Sequence, residues 1–171
     1  MAEFEAVDRY LDVHLDESIA AELSTLCAQP SVSAQNWGLE ECSQLVAEML
    51  QKRGFNARIF ATGGAPVVFA ERKGRGDKTL LFYNHYDVQP AEPLELWENP
   101  PFVPTLKDGK LYARGVSDDK GHITSRLFAI DALLNEMGDL PCSVKFVIEG
   151  EEETSSVHLK DFVHEHSDLL A

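Results

Sequence analysis

Three groups of side chains in this sequence have the types and spacing to hold a metal ion. The first is His85-Tyr86-Asp87, directly after the apolar run Leu80-Leu81-Phe82-Tyr83. The second is Asp118-Asp119, within Gly115-Val116-Ser117-Asp118-Asp119-Lys120-Gly121. The third, Glu151-Glu152-Glu153, closely follows Val144-Lys145-Phe146-Val147-Ile148. Taken singly, each is also an ordinary structural feature: a strand-end histidine, a pair of N-cap acids, a solvated helix entry. Three adjacent carboxylates at the end of an apolar strand, however, repel one another unless a cation offsets them. The same need arises at three strand ends in one small chain. Imidazole and carboxylate donors without thiolate suit zinc, manganese or cobalt, whereas an all-oxygen calcium site would leave His85 without a purpose. A carboxylate can bridge two metals, and two-metal sites acidify a shared water. A glutamate outside the coordination sphere can then take the water proton and pass it to a leaving amine.

Such groups converge only if the chain carries them to one edge of a sheet, and the hydrophobic pattern supplies the elements for that. Leu11, Leu15, Ile19, Leu23 and Leu26 predict a helix from about Val7 to Cys27, stopped before Pro30. A second helix is expected over about Leu39–Arg53, with Gly54 as its C′ residue. A third spans about Gly121–Met137, and a fourth begins near Ser156. Strands are expected at Asn56–Phe60, Pro66–Glu71, Thr79–Asn84 and Ser143–Glu149. Leu80-Leu81-Phe82-Tyr83, apolar on both faces, has the pattern of a central strand covered on each side. This alternation defines an α/β layered domain, in which ligands bind beyond the carboxyl ends of the strands. Between Asp87 and Lys107 runs an irregular stretch with Pro90, Pro93, Pro100, Pro101 and Pro104. Its length suggests function, and Trp97 and Phe102 suggest that it packs. Asp108-Gly109 marks a turn between two short extended segments.

Composition narrows the class. With 171 residues the chain suits one domain. Its formal net charge of −14 argues against a nucleic-acid backbone or an anionic membrane as partner, since both require a basic face. Cys27, Cys42 and Cys142 form no C-x-x-C pair and read as reduced thiols. The first fifteen residues lack the basic and apolar regions of a secretion signal, and no apolar run approaches a membrane span. The expected location is cytoplasmic. His164 and His166, on the last helix, read as a solvated face rather than as ligands. The apolar pair Leu169-Leu170 at the end of that helix reads as packing against something that follows, as if the chain were cut there.

The strings NHYDVQPA (Asn84–Ala91), LYARGVSDDKG (Leu111–Gly121) and FVIEGEEE (Phe146–Glu153) resemble the dinuclear-zinc exopeptidases, a family that includes carnosine dipeptidase, peptidase V, glutamate carboxypeptidase, aminoacylase and succinyl-diaminopimelate desuccinylase. Leu23–Ser33, Trp97, Pro101-Phe102 and Asp108–Tyr112 agree, and the wording Tyr-Asp-Val-Gln-Pro is closest to the carnosinase-like dipeptidases. The resemblance implies that His85 binds one zinc, with Asp87 fixing its ring from behind. It makes Asp118 the bridge between two zinc ions, across a cis Asp118–Asp119 peptide. Glu152 becomes the general base and then acid, Glu153 a ligand of the second zinc, and Glu151 has no role. Manganese or cobalt could replace zinc. Asn84, His122 and Ser155 depart from the family pattern, Ser155 where a glycine is common.

The family also uses a later acidic ligand, a late histidine and a lid or dimerisation domain, none of which falls within these residues. The expectation is therefore the N-terminal part, residues 1–171, of a metallopeptidase catalytic domain. Its fold would be a partial three-layer α/β/α sandwich with a mixed, mostly parallel sheet and no lid domain. Each zinc would have two protein ligands, too few for the chain alone to be active. The expected substrate is a dipeptide or similar small amide, and the parent enzyme would be homodimeric through the absent domain. The alternatives are an acyl-amino-acid deacylase of the same family, or a non-catalytic fragment or interaction module.

Overall fold

The computed structural model describes residues 2–171. Helix α1 (Ala2–Ser18) passes through a wide turn at Ile19–Leu23 into α2 (Ser24–Ala28), so the first helix is one continuous rod. It lies along α4 (Lys120–Met137), with the Tyr10 ring 6.2 Å from that of Phe128. Helix α3 (Leu39–Gln51) buries Leu39, Cys42, Val46, Met49 and Leu50, and Leu45 is partly buried against the same core. Gly54 ends it at φ +76°, a left-handed conformation that a glycine adopts without penalty.

The strands are β1 (Asn56–Phe60), β2 (Val67–Arg72), β3 (Thr79–His85), β4 (Thr105–Lys107), β5 (Lys110–Tyr112) and β6 (Ser143–Glu149). Four of them form a sheet in the order β1-β2-β6-β3, and β4 pairs with β5 as a separate hairpin. The sheet is mixed, but the expected parallel majority is not observed. Only β3 and β6 pair in parallel, while β1–β2 and β2–β6 are antiparallel. The connections explain this. Short links over residues 61–66 and 73–78 reverse the chain and leave no room for a crossover. Helix α4 then provides the crossover that brings β6 back beside β3, between it and β2.

Alternate residues of β2 and β6 face opposite layers. Val68, Ala70, Phe146 and Ile148 join α3 and α4 in the larger core, where Phe146 meets Phe55 at 5.6 Å and Phe82 at 5.2 Å. Val67, Phe69 and Val147 face the other way, against Phe162 of α5 (Leu159–Glu165). Leu169 and Leu170 of α6 (Ser167–Leu170) pack on that second core, so the apolar pair finds its partners within the described chain. Helices thus cover both faces of the sheet.

Among the described residues β3 is not central. It forms an edge of the sheet, with Leu80 46%, Leu81 45% and Tyr83 46% exposed. Apolar side chains on both faces of a strand record what the strand can bury, not which strands lie beside it. The proline-rich stretch is ordered: the Trp97 Nε1–H donates to the Ala91 carbonyl at 2.8 Å, and Trp37 meets Phe102 edge-on at 5.3 Å.

Candidate metal centre

The parallel register sets His85 opposite Glu149, so the segments after β3 and β6 leave the sheet side by side at its carboxyl edge. Asp118 arrives from just before α4. His85 Nε2 faces Asp118 Oδ1 at 3.0 Å and Glu152 Oε2 at 3.8 Å. Its other nitrogen, Nδ1, lies 3.3 Å from Asp87 Oδ1 and 3.2 Å from the Asp87 carbonyl. Asp87 thus fixes the ring from one side and leaves Nε2 directed at the carboxylates, as a histidine ligand requires.

The fully buried Asp87 carboxylate does a second job. It accepts the backbone N–H of Glu152 at 3.2 Å and of Glu153 at 3.0 Å, holding the turn that carries both side chains. Gln89 Nε2 donates to Glu153 Oε2 at 2.7 Å. Glu151 is engaged elsewhere: the His158 N–H donates to its carboxylate at 3.3 Å, and His158 Nδ1 lies 2.9 Å away. Its carbonyl accepts the Thr154 and Ser156 N–H groups, closing the turn. Ser155 and Ser156 then adopt φ +78° and +51°, so the position where a glycine is common does have left-handed backbone. Gly150 is needed for a different reason, because the Tyr86 ring passes where a Cβ would stand.

The departures at Asn84 and His122 act together through Asp119. Asn84 Nδ2 and the His85 N–H donate to Asp119 Oδ2 at 2.6 and 3.1 Å, and His122 Nδ1 faces Oδ1 at 2.5 Å. Arg126 bonds to Asn84 Oδ1 and to the Tyr83 carbonyl. Gln89 and buried Glu149 carry no site role in the sequence reading, and Asp119 has one only as a member of the Asp118-Asp119 pair. Glu149 accepts from Tyr83 Oη at 2.6 Å and Ser156 Oγ at 2.7 Å, and burial pushes its carboxyl up.

The electrostatics suit a divalent cation. His85, Glu152 and Glu153 each offer a donor atom within 4.8 Å of one another, as do His85, Asp118 and Asp119. Burial opposes a charge on His85, but the hydrogen bond and charge of Asp87, with Asp119 and Glu152 beyond, push the imidazole up to about 9. In the metal-free protein a proton on His85 offsets part of the negative charge. A hard-to-borderline divalent ion would offset more of it, and the imidazole-carboxylate set fits zinc. Among the described residues, His164 and His166 join no such group. His166 packs instead on Phe60 and Phe162, at 4.6 and 5.0 Å.

Comparison with known proteins agrees with this arrangement. Residues 81–168 match peptidase family M20/M25/M40, and the chain belongs to that family of metallopeptidases. It is 35% identical to the human Beta-Ala-His dipeptidase over 181 residues, 96% of this chain and 36% of that protein. It is 35% identical to the succinyl-diaminopimelate desuccinylase of Bordetella avium over 132 residues, 77% of this chain and 34% of that protein. Among solved structures, an M20 family metallo-carboxypeptidase from Sulfolobus solfataricus superposes with a TM-score of 0.84 at 42% identity, over 87% of this chain and 34% of that one. Human carnosine dipeptidase 1 gives 0.86 at 35%, over 96% and 38%. The chain thus spans about a third of the length of these relatives. Among the described residues, no helix is long and apolar enough to cross a membrane.

Proposed function

We propose that these residues form the amino-terminal part of the catalytic domain of a cytoplasmic, zinc-dependent dipeptidase. The observation that supports this most is the meeting of His85, Asp118, Glu152 and Glu153 at the ends of β3 and β6, with Asp87 behind both His85 and the Glu152-Glu153 turn. In this reading His85 and Glu153 would each help to hold one zinc, and Asp118 would serve both. The metals supply Lewis acidity toward the amide carbonyl and an acidified water. Glu152, 44% exposed, takes the water proton and returns it to the leaving amine. Asp87 keeps the imidazole aimed and the Glu152 carboxylate in reach. Small peptides are the favoured substrates, and N-acyl amino acids are the second reading, since the desuccinylase is similar over 77% of this chain.

Two protein ligands per zinc fall short of the three usual at catalytic sites. Residues 1–171 with zinc should therefore show no turnover of dipeptides or N-acyl amino acids. A chimera in which they replace the matching segment of the Sulfolobus solfataricus carboxypeptidase should release amino acid in a chelator-sensitive way. Glu152→Ala should lower that turnover by several orders of magnitude with zinc content kept. A folded, zinc-loaded chimera without turnover would sink the peptidase reading. Turnover by residues 1–171 alone would show that two ligands per zinc suffice.

A further inference from the structure

The proline-rich stretch and the β4–β5 hairpin enclose a cavity of about 670 Å³ whose lining includes both Asp118 and Glu153. That is within the size range of small-molecule pockets, and it opens directly onto the candidate metal centre. We propose that this cavity is a specificity pocket for a neutral aromatic or large aliphatic side chain next to the scissile amide. The inference rests on the metallopeptidase reading only for the position of that amide.

The walls argue for such an occupant. Leu96, Trp97 and Tyr112 present apolar surface to the cavity. Trp97 is a fixed wall rather than a mobile flap: its indole N–H is bonded to Ala91, and the Arg114 guanidinium stacks over its ring at 5.3 Å. Both cations in the lining are engaged, Arg114 with the Pro90 carbonyl at 3.1 Å and Lys107 with Glu98 at 3.2 Å. An anionic side chain would meet Asp118 and Glu153 in the lining, which repel it. A basic side chain would meet Arg114 and Lys107. A neutral ring or branched aliphatic chain gains by leaving water. Leu96, 78% exposed at the rim, is a large apolar residue that gains burial only when something fills the space beside it.

Trp97 reports on its own pocket. The sequence has two tryptophans, so Trp37→Phe leaves Trp97 as the sole indole. Without zinc, N-acetyl-phenylalaninamide should change Trp97 emission saturably and at least about tenfold more tightly than N-acetylglycinamide. Leu96→Glu, at an exposed position, should abolish that preference. Equal responses to the two amides, or none, would overturn the pocket. With zinc, phenylalanine hydroxamate should bind about tenfold more tightly than glycine hydroxamate, again through Leu96. Failure to take up zinc with the Trp97 preference intact would overturn the metal reading and support the pocket. Zinc uptake with equal hydroxamate affinities would support the metal reading and overturn the pocket.

Discussion

The Asp87 carboxylate accepts the Glu153 backbone N–H at 3.0 Å, joining the end of β3 to the turn after β6 across 66 residues of chain. With its contact to His85 Nδ1, it ties a candidate ligand on one strand to a candidate ligand on another. A motif reading assigns Asp87 the His85 contact alone.

Asp87→Asn retains the shape but replaces one accepting oxygen by a donor, which would face the Glu152 or Glu153 N–H. Zinc affinity of the chain should fall about 10- to 100-fold, because both the ring and the turn lose their support. Competition with a chromophoric chelator measures this. Unchanged affinity would show that neither group depends on Asp87.

Zinc uptake should release protons. With burial outweighed by the Asp87 carboxylate, the His85 imidazole is pushed up to about 9, so at pH 7 it carries a proton that a metal must displace. Apparent affinity should therefore rise with pH, by up to about tenfold per unit between pH 6 and 8, toward a plateau above the imidazole's own titration. Calorimetry in buffers of different ionisation heat should count about one proton released at pH 7 from this group. No release there, with affinity flat in pH, would exclude His85 as a ligand.

Ser155 holds φ +78° without being a glycine, a conformation that costs an L-residue about 1–2 kcal/mol. Ser155→Gly should relieve it, less the greater freedom glycine gains on unfolding. A net stabilisation of about 0.5–1 kcal/mol is expected, read from the urea midpoint at unchanged slope. An equal or lower midpoint would mean that the turn after Glu153 is not strained.

The elements that bear the site were legible because their signals are local. Ser143–Glu149 stands out as an apolar strand between turn residues, and Gly54 marks the end of α3 by its lack of a side chain. The departure at Ser155 pointed to a place where backbone conformation and residue type conflict. What was not legible depends on neighbours distant in sequence. The edge position of β3 and the antiparallel majority follow from how α4 returns β6 to the sheet, and no residue in β3 encodes that. Gln89 reaches Glu153 for the same reason. Asp119 with His122 is the exception, a pair three residues apart at the start of a helix, and its spacing was readable. The packing of Leu169 and Leu170 was hidden because an apolar chain end gives no sign of which sheet face lies beneath it.

The one parallel pairing, β3 with β6, gives the centre a particular place in folding. The two strands meet only after the intervening proline-rich stretch, hairpin and α4 have been drawn into a closed loop, and loop entropy is lost before any contact compensates. Every state in which those strands are apart lacks the centre altogether. A metal held between them would therefore act as a clasp on that closure, slowing the escape from the native state.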